Sequence, residues 1–247
     1  MSKRTFVRGR KAAFLLATGF AMLGSADASA GSSPWSGAYL GFESDFDATS
    51  VTYTNSGTPH QNLDGALLGV QAGYDWSFGG LVIGVAGDAT FGNLNTVVRD
   101  GNYITESGQI NALGLLRARV GVPMGNFLPY VTGGVAVTSL EQGEICPDPV
   151  AAPYGFCNHG ISGDPNYAGS SPGPFDLKQQ KTLVGATLGA GFEMTVASGW
   201  SLQAQYLHSF FPNTTYVLGP DSDGKPLPPS TAHISMDEGT VAFLKRF

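Results

Sequence analysis

The sequence predicts an all-β chain: an eight-stranded antiparallel up-and-down transmembrane β-barrel, preceded by a cleaved signal peptide. Three observations carry this. Apolar residues recur with a period of two over long segments. Three tight turns alternate with four long connections. Glycine is abundant while charge is scarce, with 35 Gly and 13% charged residues in 247, against roughly 7% Gly and about 25% charged in an ordinary soluble domain. The glycines follow no G-X-Y period, which excludes a collagen-like chain, and the low charge excludes a charged disordered chain or a long charged coiled coil. A net charge of −6 and a pI near 5.0 argue against nucleic acid as a partner. Mean hydropathy is +0.02, and no stretch of about 18 apolar residues follows the N-terminus, so membrane-crossing helices are not expected. Strands with alternating apolar residues can still cross.

The first 30 residues carry an address. Lys3, Arg4, Arg8, Arg10 and Lys11 form a basic region, and 12–24 (AAFLLATGFAMLG) is a 13-residue apolar run, too short to span comfortably. Ala28-Ser29-Ala30 then offers an A-x-A cleavage site. The alternative is an N-terminal anchor helix, which the short run disfavours. Cleavage is expected after Ala30, with Ala26-Asp27-Ala28 as a second site, dividing the chain into a signal peptide (1–30) and a barrel domain (31–247). No lipid-anchor cysteine follows. The two cysteines, Cys146 and Cys157, lie in one Pro/Gly-rich segment, and in an exported protein such a pair reads as a disulfide closing a small loop. Two free thiols are the alternative. Zinc is weaker still, because His159 stands nearby without C-x-x-C or H-x-x-x-H spacing.

Eight strands are expected at about 35–46, 65–76, 81–91, 109–122, 127–138, 182–196, 200–210 and 236–247. In the second, Ala66, Leu68, Val70, Ala72, Tyr74 and Trp76 share one face against Gly69, Gln71, Gly73 and Asp75. In the third, Leu81, Ile83, Val85, Ala89 and Phe91 oppose Gly84, Asp88 and Thr90. The sixth sets Val184, Ala186, Leu188, Ala190, Phe192, Met194 and Val196 against Gly185, Thr187, Gly189, Gly191 and Glu193. The seventh sets Trp200, Leu202, Ala204 and Tyr206 against Ser201, Gln203, Gln205 and Ser209. Successive strand side chains point to opposite faces, so each segment has one apolar and one small or polar face. The tight turns fall at 77–80, 123–126 and 197–199, and the long connections at about 47–64, 92–108, 139–181 and 211–235. Short turns on one side and long loops on the other are the build of a transmembrane barrel. Closure follows from hydrogen bonding, since an open sheet edge in lipid leaves unpaired N–H and C=O groups. A soluble barrel with the apolar face inside is the alternative, and the small, charged opposite face disfavours it. Trp35, Trp76, Trp200, Tyr130 and Phe127 are expected to form one aromatic girdle, and Phe91, Phe210 and Phe211 the other.

The stretches WSGAYLGFESDF, GVQAGYDW, LVIGVAGDATF, LLRARVGVPMGNFLPYVTGGVAV and LGAGFEMTVASGWSLQAQYLHSF, with the terminal Phe247, resemble the eight-stranded outer-membrane β-barrel family. The resemblance is to the opacity-type, porin-family surface proteins of Gram-negative bacteria and covers nearly all of 31–247. It implies the cell outer membrane, outer-membrane lipid as surroundings, and insertion by the assembly machinery through a C-terminal aromatic, here Phe247. Lys245 departs from the family, which usually places an apolar or aromatic residue there, and the third long loop is larger than the family suggests.

No catalytic set, cofactor motif or metal site emerges, and no enzyme activity is expected. His60, His159 and His233 are read as loop residues. His208 stands at a strand end beside Ser209 with no acid partner in the sequence. The constellation that stands out is inside. Arg117 and Arg119 share a face, and alternation turns Glu43, Asp75, Asp88 and Glu193 inward as well. A charge in a narrow lumen needs a partner, so these six residues are expected to form a lumen charge network. Its structural reading is a polar plug, its functional reading an ion-selective constriction. Two functions follow: a surface protein presenting four external loops to an extracellular ligand, or a small porin for hydrophilic solutes or ions.

Overall fold

The computed structural model describes residues 33–54, 60–100, 104–146, 175–217 and 229–247. Eight strands follow in chain order: β1 (Gly37–Thr54), β2 (His60–Phe78), β3 (Leu81–Asp100), β4 (Ile104–Gly121), β5 (Phe127–Cys146), β6 (Phe175–Ala197), β7 (Trp200–Tyr216) and β8 (Ser230–Arg246). Each pairs antiparallel with the next, and β8 returns to β1, from Tyr39↔Arg246 to Thr54↔Thr231, to close the barrel. The three short turns link β2–β3, β4–β5 and β6–β7. Gly79 and Gly199 take φ of 66° and 69° there, a left-handed conformation that costs glycine little.

The strands run 17 to 23 residues, where a tilted crossing needs about 9–11. All the added length lies on the long-connection side. Much of what the sequence reads as loop is therefore strand: 47–54, 60–64, 92–100, 104–108, 139–146, 175–181, 211–216 and 230–235. Only 55–59, 101–103, 147–174 and 217–229 connect the strands there. His60 and His233 accordingly sit in β2 and β8, not in loops.

The reason is a reversal of polarity along the wall. In the lower part, beside the short turns, the outward face is apolar: Phe42 is 77% and Leu116 68% exposed. In the upper part the inward face is apolar. Val51, Tyr53, Leu63, Leu67, Leu94, Ile110, Leu113, Leu140, Leu207, Phe211, Ile234 and Met236 belong to one buried cluster inside the barrel. Outside that level stand Asn62, Asn93, Gln109, Ser139 and Gln180, with Gln109 donating to Asn93 (3.2 Å) and Gln180 to Ser139 (2.7 Å). Irregularities in the register mark the transition on β3 (Phe91/Leu94), β4 (Ile110/Leu113) and β7 (Phe211/Thr214). On β4 and β7 the inward positions change parity across them, as a bulge requires.

Three of the expected girdle residues lie inside. Trp35 is buried with Val82 and Leu128 at the lower mouth, its indole N–H donating to the Gly125 carbonyl (3.1 Å). Tyr130 faces the lumen, and Phe211 joins the upper apolar cluster. A hydroxyl or indole N–H with a fixed acceptor is better satisfied there than against lipid. Trp76, Trp200, Phe127, Phe91 and Phe210 do face outward. Lys245 lays its ammonium over the Trp200 ring, 5.0 Å from the centroid, so its stem covers the lower girdle while its charge reaches the interface.

Candidate functional site in the barrel lumen

The lumen is filled in tiers, and the strand alternation sets each tier. Lowest is a four-membered ion cluster. Arg119 on β4 donates through Nε to Asp75 Oδ1 (2.8 Å), through Nη2 to Asp75 Oδ2, and to Glu193 Oε2 (3.0 Å). Arg246 on β8 donates to Glu193 through Nε (3.0 Å) and Nη2 (2.8 Å), and lies 2.8 Å from Asp75 Oδ2. Its Nη1 donates to the Trp35 carbonyl (3.2 Å), tying the two ends of the barrel chain together. Two cations thus meet two carboxylates, all buried. The guanidinium of Arg119 also lies over the rings of Tyr39 (4.7 Å) and Tyr130 (5.2 Å). Space for the cluster comes from missing side chains. A Cβ on Gly84 would stand 1.9 Å from Asp75 Oδ1, and one on Gly73 would stand 2.3 Å from the Tyr39 ring.

Above it, Arg117 pairs with Asp88 through Nε (3.0 Å) and Nη2 (2.8 Å). Gln71 donates to Asp88 (2.6 Å), while Arg117 Nη1 and the Tyr130 hydroxyl both donate to Gln205 Oε1 (2.8 and 3.0 Å). Higher still is an acidic tier of Glu43, Asp45, Asp47 and Glu238, all buried. Thr240 donates to Glu238 Oε1 (3.1 Å), but Glu43 Oε1, Asp45 Oδ1, both Asp47 oxygens and Glu238 Oε2 have no hydrogen-bond partner. The buried apolar cluster lies above this tier. Among the described residues, no three His, Cys, Asp or Glu side chains are placed to hold a metal ion.

Of the six residues singled out in the sequence, Asp75, Arg119 and Glu193 therefore meet in one cluster and Asp88 and Arg117 in a second. Glu43 joins neither and stands in the acidic tier. Sequence reasoning missed Arg246, which the same alternation places inward between Lys245 and Phe247. It also missed Asp45, Asp47 and Glu238, which share parity with Glu43 or with Arg246. The buried glutamines gave no signal, since nothing in a sequence says which glutamine will face a buried pair. His208 does have an acid partner: Asp237 on β8 lies directly opposite, with Nδ1 2.6 Å from Oδ1. Ser209 points the other way, into the lumen, and is buried, so no Ser–His–Asp arrangement forms. Ala30, the expected cleavage site, and the Cys146–Cys157 pairing lie outside the residues whose side chains are described.

The sequence matches the family described as "Outer membrane protein beta-barrel domain" over residues 12–224. The chain belongs to this outer-membrane β-barrel family. Its location is the outer membrane. The chain is 25% identical over 192 residues to the 31 kDa outer-membrane immunogenic protein of Brucella melitensis, covering 71% of this chain and 70% of that one. The counterpart from Brucella suis matches equally. Among solved structures, the barrel is similar to the outer membrane protein OprG of Pseudomonas aeruginosa, at 15% identity, TM-score 0.47, and 86% and 96% of the two chains. It is also similar to Ail, the attachment invasion locus protein of Yersinia pestis, at 8% identity, TM-score 0.45, and 86% and 99% of the two chains.

Proposed function

We propose that the protein is a structural and interaction component of the cell surface. In this reading a sealed barrel, anchored in outer-membrane lipid, holds its upper connections outside for an extracellular ligand and conducts no solute. The observation that carries it is the filled lumen. Leu63, Leu67, Leu94, Ile110, Leu140, Leu207 and Met236 are fully buried across the upper level, and the Arg119–Arg246 cluster occupies the lower one. An eight-stranded interior is just wide enough for side chains to fill. No catalytic activity belongs to this reading. Less of the surface offered to a ligand is connection than the sequence implies, because two of the four upper connections are short and the upper strand wall takes their place; the segment 147–174 is the longest.

Insertion would be guided by Phe247, and export by the segment before Ala30. N-terminal sequencing of outer-membrane material should then begin at Gly31, or at Ser29 if the upstream site is used. A small cation-selective porin is the second reading, favoured only by the carboxylate oxygens of the acidic tier that lack a hydrogen-bond partner. Recordings from the folded protein in planar bilayers separate the two. The sealed barrel gives no steps above leak, whereas steady cation-selective steps overturn it.

A further inference from the structure

Three polar side chains interrupt the lipid-facing surface of β7 and β8. Tyr206, His208 and Asp237 all point outward, away from the lumen tiers. The Tyr206 hydroxyl donates to Asp237 Oδ1, and the same oxygen lies 2.6 Å from His208 Nδ1. His208 is braced edge-on against the Phe210 ring, centroids 4.3 Å apart. The neighbours in register are apolar: Leu188 beside His208 and Ala48 beside Asp237.

The height of the cluster follows from strand geometry. A strand rises about 3.3 Å per residue and crosses at a tilt of about 45°. His208 is therefore about 19 Å above Trp200 in the lower girdle, and Phe210 about 23 Å, in an apolar band about 25 Å tall. The cluster sits where the hydrocarbon of the outer leaflet meets its headgroups. Asp237 and the His208 side chain remain 46% and 30% exposed there.

A carboxylate can only accept, so His208 donates to it through Nδ1. Both bonds within the cluster use Asp237 Oδ1, leaving Oδ2 as an acceptor. That oxygen belongs to a partly exposed carboxylate set among apolar neighbours, and it calls for a donor from the surroundings. A phosphate offers an anion and is repelled by Asp237. A choline headgroup has no donor. A sugar offers hydroxyl donors and a flat apolar face for the rings. We propose that Tyr206, His208 and Asp237 form a lipid-facing site for the sugar headgroup of an outer-leaflet glycolipid. The site is continuous with the lipid interface of the barrel, and an acyl chain of the same molecule would lie along Leu188.

The full mature barrel, folded into phosphatidylcholine vesicles, tests this. Titration with a neutral monoglucosyl glycolipid should shift and saturate the His208 imidazole resonances, while phosphatidylethanolamine, which offers an N–H donor but no sugar, should not. Binding of the monoglucosyl glycolipid should fall about tenfold in Asp237→Asn and in His208→Ala, the loss expected of one charge-assisted hydrogen bond. Heat-modifiable gel mobility confirms that each variant is folded. Unchanged binding in folded Asp237→Asn overturns the site. So does an equal response of His208 to phosphatidylethanolamine, which would mean that any headgroup donor serves. The resonance measurement uses the unaltered protein and stands even if a variant fails to fold.

Discussion

The lower and upper halves of the barrel wall share strands, period and closure, yet they are built inside out with respect to each other. Below, Phe42, Leu68, Leu116 and Leu188 face outward and three arginines and three carboxylates pair within. Above, Leu63, Leu94, Ile110 and Leu140 face inward, and amides and hydroxyls line the exterior. The difference lies in what surrounds each half. Hydrocarbon accepts an apolar exterior and leaves polar groups no partner but one another inside. Water rewards the reverse arrangement. One β-ladder serves both, because a pleated strand always offers two faces and only their contents change.

Substitutions at matched positions can break this contrast. The largest effect is expected from Arg119→Leu, which strands Asp75 and Glu193 beside a single arginine; losing one partner of a buried ionic cluster costs about 3–5 kcal/mol. Equilibrium unfolding in lipid should show it, and the rescue expected from also replacing Glu193 by Gln would tie the loss to charge. Leu140→Ala probes the upper lumen and should cost about 2–5 kcal/mol as a cavity. A silent change there would mean that the upper lumen is loosely filled. Ala190→Arg puts a cation near the middle of the hydrocarbon and should cost about 2–4 kcal/mol, with Thr187→Ser, facing the lumen on the same strand, nearly neutral.

Gly84→Ala is smaller, about 1–3 kcal/mol, since its Cβ must displace the Asp75 carboxylate. Circular-dichroism melts in detergent should rank it below Arg119→Leu. Smallest is Asn62→Arg, on the exterior of the upper half, which should stay within about 0.5 kcal/mol. The pair Ala190→Arg and Asn62→Arg is the sharpest comparison, because the same outward side chain is placed at two heights. Equal costs would put the lipid boundary in the wrong place.

Much of the lower half was legible from the chain. Leu188, Phe192, Met194 and Val196 alternate with Thr187, Gly189, Gly191 and Glu193 without a break, and that parity suffices to aim Arg117, Arg119, Asp75 and Asp88 inward. The upper half was hidden by the same rule. A search for an outward apolar stripe passes over Asn62-Leu63-Asp64 or Asn93-Leu94-Asn95, where the apolar member is the one that turns in, and such stretches read as loop. Bulges on β4 and β7 then shift the parity, so counting by twos from Arg117 or Gln205 misplaces Ile110 and Tyr216. An aromatic at a strand end, such as Trp35, has two destinations, girdle or lumen, and only the Gly125 carbonyl and the room beside Val82 and Leu128 decide between them.

The sequence by itself determined the class of fold, the number of strands, the three tight turns and the lipid-facing stripe. Each follows from local periodicity and from the refusal of hydrocarbon to solvate a peptide group. The tertiary structure alone decided which charges meet. Arg119 reaches Glu193 across 74 positions of sequence and Arg246 reaches Trp35 across 211, and Asp237 finds His208 on the adjacent strand. Pairing of this kind depends on the register and closure of the whole barrel. A sequence states which way a side chain points, whereas the height at which it meets a partner on another strand is fixed only when all eight ladders have closed.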